Sequence, residues 1–425
     1  MRSLSPRTAT ISVCTTCNNY KDTQARRDMD VSMPLDKREY KRLKTQIHDA
    51  PILSEPALWA EIEAYGSMPE NKKYYQKLKR KYWWHRRIQK KLYPLGTAPS
   101  AWLNSPDSFV SVIVPNYCHA PYLKERIDSI LNQTFQNFEL ILLDDCSTDN
   151  SREILLSYKD HPKVSHVVLN EHNSGNTFLQ WEKGVALAKG PYIWIAESDD
   201  YADETFLESV MSGFYLRPDC VLGRSGSYQV NQNGRVLVRD WDIWKEDETA
   251  RYYDGNNYIL HNLLHFNYIY NASMVVFRKD VFPKIDKAYQ QLRYTGDWLF
   301  WIAFLQHGPM FEYRRKLNYF RQHQNKVSAR SFSTNRGVVD QMKVMAFVIS
   351  HIHLSPFRRL MLRGENYDLC HRALMSPTEQ AVAEAFFNTL TNELHAKKWH
   401  YRVFKLICKF RFIPWVPTIE NDKYK

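Results

Sequence analysis

The chain is 425 residues long, 44% hydrophobic and 24% charged, with a formal net charge of +12. That composition excludes a polypeptide too polar to build a core, and the length suits two or three globular units rather than one. The basic excess points to an anionic partner, whether nucleotide, nucleic acid, membrane surface or acidic glycan, and charge alone does not choose among them. No run approaches about 18 uninterrupted apolar residues, and the N-terminus lacks the compact apolar core of a signal peptide. The chain is therefore expected on the cytoplasmic side, without crossing a bilayer. The seven cysteines, at 14, 17, 118, 146, 220, 370 and 408, follow no regular framework and read as reduced thiols.

Residues 1–36 are polar and aperiodic and are expected to be a disordered tail, or the product of an upstream start codon with Met33 as the real start. Cys14 and Cys17 form a lone Cys-x-x-Cys; a structural zinc site needs a second ligand pair, which the neighbouring sequence lacks. Residues 37–107 read as a basic helical extension. Within it, Lys72, Lys73, Lys77, Lys79, Arg80, Lys81, Arg86, Arg87, Lys90 and Lys91 run without an intervening acid, interleaved with Tyr74, Tyr75, Tyr82, Trp83 and Trp84. Such a helix suits an anionic lipid surface, an anionic glycan lipid or nucleic acid, or else packs its aromatics on the next domain.

At Phe109 the pattern changes. Strands are expected at 109–115, 138–143, 164–169 and 192–195, alternating with helices at 121–133, 151–158 and 177–189. That alternation describes an α/β protein with a mostly parallel, doubly wound sheet, in which ligands sit beyond the carboxyl ends of the strands. Asn116, Asp145 and Asp199 all fall at such ends. Further on, a helix is expected to Leu216 and a β-hairpin over 221–239 turning at Asn233-Gly234. From about 331 the chain reads as helical to its end, and 397–417 alternates aromatic and aliphatic residues with Lys and Arg as an interfacial helix would.

The most informative stretch is Tyr192-Ile193-Trp194-Ile195-Ala196-Glu197-Ser198-Asp199-Asp200, an apolar strand ending in three carboxylates within four residues. Acids at that density repel one another unless a cation or a shared proton relieves the charge, and hard oxygen ligands suit Mg²⁺ or Mn²⁺. A solvated acidic turn is the alternative.

Four blocks together resemble the family 2 glycosyltransferases, of the GT-A fold: Val110 through Tyr117, Asp144 through Asp149, Ala196 through Asp200, and Gly296-Asp297 followed by Tyr319-Phe320-Arg321-Gln322-His323. The likeness covers residues 108–330, a Rossmann-like nucleotide-diphospho-sugar transferase domain; 1–107 and the helical region 331–425 lie outside it. The resemblance implies a nucleotide pocket built from Pro115, Asn116, Tyr117, Asp144, Asp145, Glu197, Ser198 and Arg321, with Asp145 accepting the imide N–H of a uracil-like base. It further implies a Mn²⁺ or Mg²⁺ ion held by Asp199 and His323, and Asp297 as the general base that deprotonates the acceptor hydroxyl. Glu197 stands where the family more often has Asp.

The expected partners are a nucleotide-sugar donor, a glycan or lipid-linked glycan acceptor in cell-surface polysaccharide synthesis, and an anionic membrane surface, with no nucleic acid. A Gln-x-x-Arg-Trp motif, which marks processive synthases, does not occur, so one sugar is expected per encounter. Three other readings compete. A sugar-phosphate nucleotidyltransferase would carry a Gly-rich basic loop where this chain has Asn116-Tyr117-Cys118-His119-Ala120. A nucleic-acid-binding protein rests on charge alone, and an inactive binding module sits poorly with intact acids at 199 and 297.

Overall fold

The structure, a computed structural model, describes residues 37–49, 62–65, 71–87, 91–94 and 96–409, apart from 238–241, 243–245, 248, 265, 324–334 and 376–377. The expected tail with Cys14, Cys17 and Met33, and positions 410–417, lie outside the described residues. Two compact units are present, Met1–Leu92 and Tyr93–Lys425. In the first, helices Lys37–Asp49 and Lys72–Arg87 close on Leu43, Ile62, Tyr65 and Leu78, and Tyr40 lies 4.9 Å from Tyr74, ring to ring. The helix Lys72–Arg87 contains no acid, so no ion pair between two of its own residues supports it, and its described apolar residues pack into this cluster.

In the second unit β1 (Val110–Asn116), β2 (Phe138–Asp144), β3 (Val164–Leu169) and β4 (Tyr192–Ile195) pair in parallel, in the order β4-β1-β2-β3. Every residue of β1 and β2 is buried. Val110, Val112, Val114, Leu140 and Leu142 enter the core under one face; Ile113, Ile141 and Leu143 enter the core under the other. A strand covered on both faces reads as an unbroken apolar run. The intervening helices are α1 (Ala120–Leu131), α2 (Ser151–Ser157) and α3 (Thr177–Leu187), and α4 (Phe206–Leu216) follows the acid turn. Gly184 lets α3 lie close on β1, since a Cβ there would fall 2.3 Å from Ile113 Cγ2.

The sheet continues through β5 (Tyr201–Ala202), β6 (Leu222–Asn231), β7 (Thr249–Tyr253), β8 (Val275–Arg278) and β9 (Met310–Gln322). Here the direction changes: β8 runs antiparallel between β4 and β6. The long β9 lies parallel to β6 and antiparallel to β7 and β5. The hairpin expected over 221–239 is present across its described part: the first arm is β6, the Gly234 amide donates to the Asn231 carbonyl at 3.0 Å at the turn, and the return arm is held by the Asn231 amide to the Arg235 carbonyl (2.9 Å), the Leu237 amide to the Gln229 carbonyl (2.7 Å) and a bridge between Val230 and Val236. On its other edge β6 pairs with β9, with Tyr228 opposite Tyr319 and Asn231 opposite Gln322.

After α5 (Gly296–Leu305), the described C-terminal residues form α6 (Arg336–His351), α7 (Pro356–Ala373), α8 (Gln380–Asn388) and α9 (Lys398–Lys409). Helix α9 crosses α7 at Gly364, where a Cβ would meet Phe404 Cβ at 2.5 Å, and Tyr401 stacks on Tyr367. Its Trp399 and Leu406 are 50% and 56% exposed. Among the described residues no helix is long and apolar enough to cross a membrane.

Candidate active site

The carboxyl ends of β1 and β2 are tied together by side chains. Asn116 Nδ2 donates to Asp144 Oδ1 at 3.0 Å and to Ser147 Oγ at 3.2 Å. Asp144 also accepts from the Ser147 amide at 2.9 Å. Cys118 and Cys146, just past the two strands, adopt left-handed φ of 56° and 64°, which turns the chain sharply at both ends. Asp144, expected among the nucleotide contacts, is instead fully buried and braces this turn. Pro115 and Asn116 are likewise buried in β1, whereas Tyr117 is 49% exposed.

Asp145 points into a second network. Its carboxylate accepts from Asn170 Nδ2 (2.7 Å), the Ser174 amide (3.0 Å) and hydroxyl (2.7 Å), and Gln180 Nε2 (2.8 Å). It therefore holds the loop between β3 and α3, and a nucleobase reaching it would have to share or displace one of these donors.

At the end of β4 the three acids diverge in role. Asp200 is fully buried and saturated by Asn271 Nδ2 (2.7 Å), Ser273 Oγ (2.8 Å) and the Arg321 amide (2.9 Å). Glu197 accepts from Trp181 Nε1 at 3.0 Å, and burial, reinforced by Asp199 and Asp200, pushes its carboxyl up to about 8. Asp199 stays partly open, with His323 Nε2 3.0 Å from its Oδ2. His119 completes a group: one potential ligand atom each from His119, Asp199 and His323 lie within 4.8 Å of one another. This donor set fits a divalent cation.

Arg321 is positioned differently from the expectation of a phosphate contact. It is 1% exposed; its Nε donates to the Asp199 carbonyl at 2.8 Å and its Nη1 to the Gln232 carbonyl at 2.9 Å, while Nη2 pairs with Glu125. The guanidinium is thus spent on holding the acid turn. Ser198, also expected at the nucleotide, is 1% exposed and bonds His119 Nδ1 at 2.8 Å.

Two residues were not singled out from sequence. His119 stands only two positions past the nucleotide-type block, and that adjacency was the one available signal. Arg126, on α1, is fully buried, and its guanidinium nitrogens have no hydrogen-bond partner among the described residues. It stacks 4.8 Å from the Trp194 ring and feels the charges of Asp200, Glu197 and Asp199, though burial still lowers it to about 10. A buried cation behind a carboxylate cluster offsets part of the mutual repulsion.

Asp297 occupies the first turn of α5, accepting from the Trp298 amide at 2.8 Å and Asn267 Nδ2 at 2.8 Å. Burial pushes its carboxyl up to about 7. Trp181, the partner of Glu197, packs against Phe300 of the same helix at 5.4 Å between rings, so the helix carrying Asp297 and the acid turn share one wall.

The α/β sheet thus gathers acids and histidines at its carboxyl edge. A profile described as Glycosyl transferase family 2 matches residues 111–285. The chain is 30% identical over 206 residues to an uncharacterized glycosyltransferase of Methanocaldococcus jannaschii, covering 48% of this chain and 67% of that one. It is 34% identical over 128 residues to TuaG of Bacillus subtilis, a putative teichuronic acid biosynthesis glycosyltransferase, covering 30% of this chain and only 50% of that relative's length. The crystal structure of S. aureus TarS 1–349 in complex with UDP-GlcNAc shares the fold, with a TM-score of 0.52 at 20% identity over 71% of this chain and 92% of that one. The chain belongs to the family 2 glycosyltransferases and has the GT-A fold.

Proposed function

We propose that the protein is an inverting, metal-dependent, non-processive glycosyltransferase that moves a sugar from a nucleoside-diphosphate sugar, with UDP-sugars favoured, to a hydroxyl of a glycan or lipid-linked glycan in cell-surface polysaccharide synthesis. The observation that carries this reading is the convergence of Asp199, His323 and His119 at the sheet edge, on a wall shared with the helix of Asp297. The UDP-GlcNAc complex of TarS and the name of TuaG, a putative teichuronic acid biosynthesis glycosyltransferase, support the donor and acceptor classes.

In this reading the base and ribose lie over Tyr117 and Asp145, beyond the ends of β1 and β2. A Mn²⁺ or Mg²⁺ ion on Asp199 and His323 would offset the charge that collects on the departing diphosphate. Asp297, with a carboxyl near neutrality, takes the proton from the acceptor hydroxyl. The acceptor oxygen forms its bond to the anomeric carbon as the bond from that carbon to the diphosphate oxygen breaks, the electron pair leaving with the nucleoside diphosphate. Attack from the face opposite the leaving group inverts the anomeric centre. Arg321 and Asp200 do not touch substrate; they hold the acid turn in place.

The test is a panel of nucleotide sugars, UDP-GlcNAc first, incubated with purified protein and Mn²⁺, scored for donor hydrolysis and binding. Turnover of at least one UDP-sugar that stops in EDTA supports the proposal. No binding to any nucleotide sugar, or turnover indifferent to chelation, defeats it.

A further inference from the structure

At the acid turn Asp200 is held by Asn271, Ser273 and the Arg321 amide and Glu197 by Trp181, whereas Asp199 Oδ2 faces His323 Nε2 at 3.0 Å. A single carboxylate is a poor cage for Mg²⁺, which binds through carboxylates, waters and substrate phosphates and has little use for imidazole. The neighbours here are two imidazoles. Ligands about 2.1 Å from an ion lie roughly 3 Å apart when adjacent and about 4.2 Å apart when opposite. The His323–Asp199 pair, at 3.0 Å, already has the adjacent spacing, and the whole set falls within 4.8 Å, so closing on an ion needs a shift of about half an ångström. The ring of His119 is also oriented: Ser198, buried in the middle of the acid motif, engages Nδ1 at 2.8 Å. Metal-bound histidines ordinarily have their other nitrogen fixed in just this way.

We infer that His119 is a third protein ligand, completing with Asp199 and His323 a two-histidine, one-carboxylate site that binds a Mn²⁺-type ion before any nucleotide arrives and prefers it to Mg²⁺. The inference rests on the metal dependence proposed above and extends it: the ion is resident rather than delivered with the donor. It also gives Ser198 a positioning role, acting through His119 rather than on the nucleotide. Because His119 follows the turn that carries Tyr117, the same short segment serves nucleotide pocket and cation site.

The experiment is Mn²⁺ titration of chelator-stripped full-length protein, followed by electron paramagnetic resonance without nucleotide, with Mg²⁺ as competitor. The wild type should bind one Mn²⁺ tightly and release little of it to a hundredfold excess of Mg²⁺. His119→Asn retains a side-chain nitrogen near the Nδ1 position for Ser198 but has nothing in place of Nε2; its Mn²⁺ affinity should fall about 10- to 100-fold, with unchanged thermal unfolding of the metal-free protein. Wild-type Mn²⁺ affinity in His119→Asn, beside losses in Asp199→Asn and His323→Ala, would overturn the inference while leaving the proposed metal dependence standing. Mn²⁺ binding that appears only with UDP present would also overturn it. If neither Asp199→Asn nor His323→Ala alters Mn²⁺ binding, metal dependence at this site and the inference fall together.

Discussion

Arg321 donates its Nε–H to the backbone carbonyl of Asp199 at 2.8 Å, joining the end of β9 to the acid turn more than a hundred residues earlier in the chain. The same residue's amide donates to Asp200 Oδ1 at 2.9 Å, so both acids take their positions from one strand. Tyr122 and Tyr201 flank the guanidinium at 4.7 and 5.4 Å from the ring centres. Arg321→Ala should therefore destabilise the protein by roughly 3 kcal/mol, the scale for breaking a buried charged network from one side, and weaken Mn²⁺ binding indirectly. Urea unfolding together with metal titration checks this; a variant with normal stability and only weakened nucleotide binding would return Arg321 to the diphosphate.

Asp145 should show two losses. Asp145→Ala removes the acceptor of Asn170, Ser174 and Gln180, leaving those donors unpaired, and should cost about 1–3 kcal/mol of stability. If the carboxylate also meets the nucleobase, the UDP dissociation constant rises by a similar free energy in calorimetry. A lowered melting temperature with unchanged UDP affinity would mean that Asp145 only holds its loop.

For Asp297, the raised pKa of about 7 predicts that kcat/KM climbs with pH and levels off above neutrality. Asp297→Asn should lower turnover by roughly 10²-fold or more with donor binding retained. Folding stability carries the opposite sign. A carboxyl raised from 3.8 to about 7 binds more protons folded than unfolded between those values, so its contribution is greatest below the unfolded pKa and is lost as pH rises through the folded one. Asp297→Asn should consequently raise the melting temperature at pH 8 relative to its effect at pH 4. Near-normal transfer by this variant would reduce Asp297 to a helix cap.

The basic flanks predict peripheral attachment to anionic membrane. Helix α9 exposes Trp399 and Leu406 amid Lys398, Arg402 and Lys405, and the helix Lys72–Arg87 is acid-free. Flotation with phosphatidylglycerol-containing vesicles should recover the protein at low salt and lose it as salt rises, since attraction between exposed charges is screened over about 8–10 Å at physiological ionic strength. Equal recovery on neutral vesicles, or none on either, would reject the attachment.

What the amino-acid sequence determined by itself was the parallel half of the sheet and the strand-end position of its acids. Strands β1, β2 and β4 are covered on both faces, so they read as near-continuous apolar runs, interrupted in β1 and β2 by Ser111 and Glu139, which hydrogen-bond each other at 2.7 Å. The mixed half beyond β6 was hidden because its strands bury charge: Glu312 and Arg314 of β9 are buried, Glu312 pairing with the fully buried Arg224, which breaks the alternating pattern that would announce β9. Only the tertiary structure decided which polar groups are spent on holding the fold. Asp144, Asp200, Ser198 and Arg321 carry the same residue chemistry as working site groups, yet packing surrounds them with donors and acceptors from distant segments. Asp199, His323 and His119 come from three strand ends far apart in the chain, and their partnership exists only where β1, β4 and β9 finish at the same edge.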